Sequence, residues 1–273
     1  MRGASLALRE TALRSQTNRP SRFWPLVAIA AGVLLLLSNF RLLTFNVLEL
    51  WPLLVIALGV QLLRQGDVGL SWQGQTFGIT RGSVERATLE ADAGDLDINL
   101  RALRREGRLV AGQYTARSRP WLDVRHNQAT LRMRRDSTWL LSLSDWEIGL
   151  ARDLPWRLLL SSHLGVINAD LSGVNVKEAR LATGIGGINL VCPDLPSGPI
   201  WVHSTVGDVS VEVPEGIPAA VRVRGTPLTD IRVSDRFREA AKGVWVTEGY
   251  DEHDADRALS VEIISAVGDV NLA

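Results

Sequence analysis

Cysteine is almost missing from this chain. Cys192 is the only one in 273 residues, so no intrachain disulfide can form and no cysteine cluster can hold zinc. Between Val191 and Pro193 it reads as a small apolar filler. A surplus of charge is missing too. Thirty Lys and Arg stand against thirty Asp and Glu, which excludes a general nucleic-acid binder, because neutralising phosphates needs a basic excess. Tyrosine (two) and phenylalanine (five) are scarce beside nine tryptophans, and several of those tryptophans flank apolar runs, as anchors at a membrane interface do. The chain also has no P-loop, dinucleotide fingerprint, nucleophile constellation or zinc spacing.

Two long apolar runs are present. Phe23 to Phe40 carries no charge, and Leu42 to Leu63 is interrupted only by Thr44, Asn46, Glu49 and Gln61. A spanning helix needs about 20 apolar residues, so both runs are short spans with little tilt. They are internal copies: WPLVAIAAGVLLL begins at Trp24 and WPLLVIALGVQLL at Trp51. Trp suits the headgroup level. Pro25 and Pro52 fit a first helical turn, where a missing N–H costs nothing. Gly32 and Gly59 allow close helix approach. The expectation is a transmembrane helical hairpin over 23–63. Arg2, Arg9, Arg14, Arg19 and Arg22 precede it, whereas only Arg41 lies between the runs. The positive-inside rule therefore places the basic tail 1–22 in the cytoplasm. Two crossings return the rest of the chain to that side.

After a linker over 64–83 the pattern becomes alternating. Runs such as ATLRMR, GVINADL, GDVSVEV and SVEIISAVGDVNL describe strands with one buried face. The one candidate helix is short, Ser234–Ala241. A repeat is visible at Gly165-Val166-Ile167-Asn168, Gly186-Gly187-Ile188-Asn189 and Gly207-Asp208-Val209-Ser210, each 21 residues after the last. Weaker copies are Thr229-Asp230-Ile231-Arg232, Gly268-Asp269-Val270-Asn271 and, far upstream, Gly94-Asp95-Leu96-Asp97. A turn and a short strand at such a period is the mark of a solenoid, whose coils bury their apolar faces only by stacking. The expected fold over 84–273 is thus an all-β solenoid of coils of about 21 residues. The three glycines should stack in one column, with Ile167, Ile188 and Val209 on one side of it.

Candidate chemistry is thin. Asp95, Asp208, Asp230 and Asp269 suggest calcium only superficially, because calcium-binding nonapeptide repeats are far denser; turn acids bonding local backbone N–H groups are the better reading. The run Asp251-Glu252-His253-Asp254-Ala255-Asp256 lacks the Gly and closing Glu of a calcium loop and reads as a solvated insertion. His126, His163, His203 and His253 are not spaced to meet. Ser161-Ser162 and Ser204-Thr205 precede Gly turns outside any nucleophile elbow. Arg101, Arg104, Arg105 and Arg108, then Arg132, Arg134 and Arg135, form basic clusters. These can face anionic lipid or be solvated faces balanced by nearby acids, and the second reading is preferred. No catalytic, cofactor-binding or metal-binding residue is expected, and no cofactor.

The duplicated W-P-L-x-x-I-x-x-G-V unit resembles the transmembrane region of the LiaI/LiaF-like bacterial membrane proteins. The Gly-Asp and Gly-Gly strand repeats resemble the toast-rack β-solenoid domains that often follow it, a loose pattern shared with adhesin-like and cell-envelope families. The resemblance implies a membrane-anchored, non-enzymatic regulator or scaffold. In Bacillus-type bacteria such proteins restrain a two-component sensor kinase of the envelope-stress response, a role attached to no residue motif here. The alternative is a structural or adhesin-like surface protein that displays the solenoid outside the cell. The implied partners are membrane lipid and another membrane protein, a sensor kinase among the candidates, and no nucleic acid.

Overall fold

In the computed structural model the chain divides into two units, Met1–Gly66 and Asp67–Ala273. The structure describes residues 75–104, 106–115, 118–135, 145–195, 198–251 and 258–273. The paired apolar runs, Gly32, Gly59, His253 and most of the acidic run after Asp251 lie outside them.

The described residues form eighteen strands and no helix. In chain order they are β1 (Gln75–Thr80), β2 (Arg86–Asp92), β3 (Asp97–Ala102), β4 (Arg108–Tyr114), β5 (Trp121–Arg125) and β6 (Gln128–Arg134). Next come β7 (Asp145–Leu150), β8 (Trp156–Leu164), β9 (Ile167–Asp170), β10 (Val176–Ile185), β11 (Ile188–Val191) and β12 (Ile200–Val206). The last six are β13 (Val209–Glu212), β14 (Ala219–Gly225), β15 (Thr229–Val233), β16 (Phe237–Ala241), β17 (Val244–Thr247) and β18 (Leu259–Leu272).

Each coil places one strand in each of two facing sheets. The first sheet runs β1, β4, β7, β3, β9, β11, β13, β18, β15. The second runs β5, β6, β2, β8, β10, β12, β18, β14, β17, β16. Coil-to-coil pairing is parallel throughout. The outermost partners are antiparallel: β4 and β1 in the first sheet, and β5 and the β16–β17 hairpin in the second. Such end pieces cover edges that would otherwise recruit another chain.

Alternation becomes a core because every second side chain points inward. One inward row of the first sheet is Trp146, Ile98, Ile167, Ile188, Val209 and Val270, each 0% exposed. Across from it, Leu89, Leu131 and Leu158 align in the second sheet and are equally buried. Burying a side chain of this size contributes about 1.5–3 kcal/mol, and the rows repeat it coil after coil. The two buried indoles also find acceptors: Trp146 Nε1 donates to Ser118 Oγ at 2.9 Å, and Trp156 Nε1 to the Ala151 carbonyl at 2.8 Å.

The coils do not stack in chain order. The first coil, β2–β3, lies between β6–β7 and β8–β9. The last coil, the single strand β18 that serves both sheets, lies between β12–β13 and β14–β15.

Three expectations need correction. The segment Ser234–Ala241 is not helical: Phe237–Ala241 is strand β16, paired with β17. Its only large apolar side chain is Phe237, too little for a buried helical stripe, whereas the neighbouring Val244–Thr247 offers a backbone ladder. The linker expected over 64–83 contains β1, because Phe77 and Ile79 alternate inward against the core and β1 pairs with β4. The upstream repeat copy is displaced by two residues: Ile98 pairs with Ile167 and Asn99 with Asn168, so Leu96-Asp97-Ile98-Asn99, not Gly94-Asp95-Leu96-Asp97, matches the later coils.

Candidate functional site

The turns between the two sheets form one long edge. Here Gly165, Gly186 and Gly207 stack as expected, and Gly268 joins their column. A Cβ on Gly186 would sit 2.0 Å from the Gly165 carbonyl oxygen, and one on Gly207 would sit 2.1 Å from that of Gly186. Gly186 has φ +143°, so both the close approach and the backbone conformation require glycine. Three residues before each turn stands a buried hydroxyl: Ser162, Thr183, Ser204 and Ser265 are in register and 1–3% exposed. Ser162 donates to the Leu96 carbonyl at 3.1 Å, Thr183 to that of Gly165 and Ser204 to that of Gly207, both at 3.2 Å. The first three hydroxyls therefore satisfy turn carbonyls rather than face a substrate, whereas the buried Ser265 Oγ has no hydrogen-bond partner among the described residues.

The acids at the same edge are committed in the same way. Asp97 Oδ1 accepts from the Val166 N–H at 2.7 Å and Asp208 Oδ1 from the Asp269 N–H at 2.9 Å, so each caps the coil stacked on it. Asp230 and Asp269 both meet Arg232. Asp95 is buried against Arg135 at 3.4 Å, with side chains 4% and 2% exposed. Arg135 thus leaves its expected cluster for the interior, while Arg132 pairs with Glu90 on the outer face at 2.6 Å. No group of metal-binding side chains is assembled among the described residues. His126, His163 and His203 are exposed on separate elements.

Two outward features were not anticipated. On the first sheet Asn189 donates to Asn168 at 2.7 Å, Asn168 to Asn99 at 2.8 Å and Asn99 to Asp145 at 3.1 Å. The fourth position of the repeat carried the signal. On the second sheet Trp201 lies beneath the Arg180 guanidinium at 4.8 Å, and the exposed Trp121 lies beneath that of Arg132 at 5.4 Å, both cation–π contacts.

A concave polar cleft lies at the opposite edge, where β3, β7 and β9 end. Arg101, Arg104, Arg108 and Arg152 line it, together with Asp170 and Ser172, around a volume of about 450 Å³. The structure thus gathers Arg101, Arg104 and Arg108 of the expected cluster and adds Arg152, which follows β7 and lies far away in sequence. Arg105 lies outside the described residues.

Cys192 is fully buried. Burial first, and the Glu212 carboxylate second, push its thiol from 9.0 up to about 12, so it is inert filler and not a nucleophile.

Residues 22–63 match the LiaI-LiaF-like transmembrane region. That region covers the two apolar runs and places a transmembrane segment at the N-terminus of the chain. No curated protein sequence matches the chain. Among solved structures, a "putative cell adhesion protein" from Clostridium sporogenes superposes with a TM-score of 0.62 at 18% identity, over 73% of this chain and 97% of that one. It shares the β fold that follows the LiaI-LiaF-like region. A "putative adhesin" from Bacteroides fragilis aligns over 75% of this chain and 100% of its own, with 11% identity and a TM-score of 0.29, too low to carry an argument.

Proposed function

We propose that this protein is a membrane-anchored, non-enzymatic regulator or scaffold, with two membrane spans and its solenoid on the cytoplasmic side, acting on a membrane partner such as a sensor kinase of the cell-envelope stress response. The observation that carries the non-enzymatic part is the commitment of the reactive side chains. The hydroxyls of Ser162, Thr183 and Ser204 bond turn carbonyls, Asp97 and Asp208 cap backbone N–H groups, and Cys192 is buried. Ser172 does bond the Asp170 carboxylate, but the same oxygen also accepts the Ser172 backbone N–H, so the contact is a local turn bond and not the oriented nucleophile–base pair that acyl or phosphoryl chemistry needs. What remains is surface: an asparagine ladder and two Trp–Arg pairs, the latter built from side-chain types that anchor protein interfaces. The match at 22–63 supports the membrane anchor, and the arginines of residues 1–22 support the sidedness.

A reporter joined after Ala273 tests this reading. Cytoplasmic reporter activity, with co-purification of a histidine kinase from native membranes, is the expected result. Activity outside the membrane would instead favour the second reading, surface display, for which the likeness to the putative cell adhesion protein is the supporting observation.

A further inference from the structure

We propose that the arginine-lined cleft at the ends of β3, β7 and β9 binds a multiply charged phosphate group, free in solution or carried on a lipid headgroup. This goes beyond the regulator reading and does not depend on which partner or side of the membrane is correct. Four arginines line one cleft, and only one is engaged: Arg101 meets Glu147 at 3.3 Å, with both side chains largely exposed. Arg104, Arg108 and Arg152 make no ion pair or side-chain hydrogen bond among the described residues. Asp170 is the one carboxylate in the lining, and it is occupied, since its Oδ1 accepts from the backbone N–H of Ser172 at 3.1 Å and from the Ser172 hydroxyl.

The surrounding strands make room for these cations. A Cβ on Gly78 would lie 2.8 Å from Arg108 Nη1, and one on Gly173 would lie 3.5 Å from Arg152 Cζ. Gly78 therefore leaves the space that the Arg108 guanidinium occupies, while Arg152 packs over Gly173 at ordinary contact distance. Several outward arginines elsewhere on this domain are balanced by neighbours: Arg132 by Glu90, Arg157 and Arg180 by Glu178, and Arg224 by Glu262. The cleft departs from that pattern, and bringing like charges together costs free energy unless an anion is shared between them. Guanidinium forks match phosphate oxygens in pairs. The cleft is the size of a small-molecule site and does not form the extended basic track that a nucleic acid needs.

The test uses the full chain held in phosphatidylcholine nanodiscs, with tripolyphosphate as the soluble probe. Tripolyphosphate should bind by calorimetry, raise the melting temperature and bind more weakly as salt is added. The double variant Arg104→Gln/Arg152→Gln should lose about tenfold or more in affinity, whereas Arg222→Gln/Arg238→Gln, with the same change of charge at the far end of the stack, should not. Without ligand, the cleft variant should melt at the same temperature as the native protein or higher, because it relieves repulsion; a purely structural role would lower it. Flotation of the nanodisc-held chain with vesicles containing phosphatidic acid, a phosphomonoester lipid, but not with phosphatidylcholine vesicles, and its loss in the cleft variant, would assign the source as a lipid headgroup. Soluble binding without flotation would assign a free phosphate compound. The proposal is overturned if neither probe binds, or if the cleft variant binds as well as the control variant.

Discussion

The middle of the stack and its two ends use the same coil but reach it by different routes. From β8 to β13 the coils follow one another at 21 residues, and each pairs with the coil made just before it. At the N-terminal end the chain instead builds outward and then turns back past its first coil, and at the C-terminal end it skips a place and later fills it. The first coil is enclosed by β6–β7, which is made after it, and the last coil enters between two that are already made. Local repetition therefore builds the centre, whereas long-range strand insertion builds the ends, where loop-closure entropy must be met before pairing rewards it.

Removing Leu259–Ala273 should break this comparison most severely. An ordinary terminal coil has one neighbour, but β18 has two in each sheet. The expected outcome is loss of a cooperative thermal transition by circular dichroism; a truncated chain that melts like the intact one would show that the insertion is dispensable.

At the other end, Arg135→Ala should cost about 3–5 kcal/mol, because it leaves the Asp95 carboxylate buried without its cation. Urea unfolding measures this, and replacing both residues by apolar ones, Asp95→Leu/Arg135→Met, should cost less. A loss below about 1 kcal/mol in the single variant would mean that water reaches the pair.

The contrast between regions also decides what could be read from the amino-acid order. The Gly165, Gly186 and Gly207 column was legible because a fixed spacing recurs in adjacent coils. The upstream copy was placed two residues off because a slip of two keeps every side chain on its face, so alternation cannot detect it. The order of coils at the ends was not legible, since no local pattern states that β2 will pair with β6 rather than terminate the stack. The cleft was half legible. Arg101, Arg104 and Arg108 are close in sequence, but Arg152 joins them only through the pairing of β7 with β3. Arg135 is next to outward-facing arginines in sequence but not in space: Arg132 and Arg134 occupy the outward phase of β6, and Arg135, just after the strand, is buried.

In the centre, Gly186→Ala should cost about 2–5 kcal/mol, combining an unfavourable backbone conformation with overpacking against the Gly165 carbonyl. Gly216 also has positive φ, +77°, but nothing lies within 4 Å of a Cβ there, so Gly216→Ala should cost only about 1–2 kcal/mol. Equal losses in urea unfolding would show that coil contact at the column adds nothing.

The effect that is smallest at neutral pH concerns Cys192, which follows β11 in the same central coils. The folded state holds its proton up to about pH 12, whereas the unfolded chain releases it near 9.0. Stability from this group is therefore fully present below pH 9 and falls as pH rises towards 12, by about tenfold in the folding constant per pH unit. Cys192→Ala should flatten that part of the stability–pH curve, and an unchanged slope would assign it to other groups.

The interleaved ends also determine how such a domain can grow. A new coil appended after Ala273 would find its place taken by β14–β15, and one added before β2 would meet β6–β7. Lengthening is open only in the middle, where a 21-residue unit inserted between Val191 and Ile200 would meet a coil of matching register on both sides. The two clasps would remain closed while the span between them changed. Relatives of different length are then expected to differ by whole coils at the centre and to keep both fastenings.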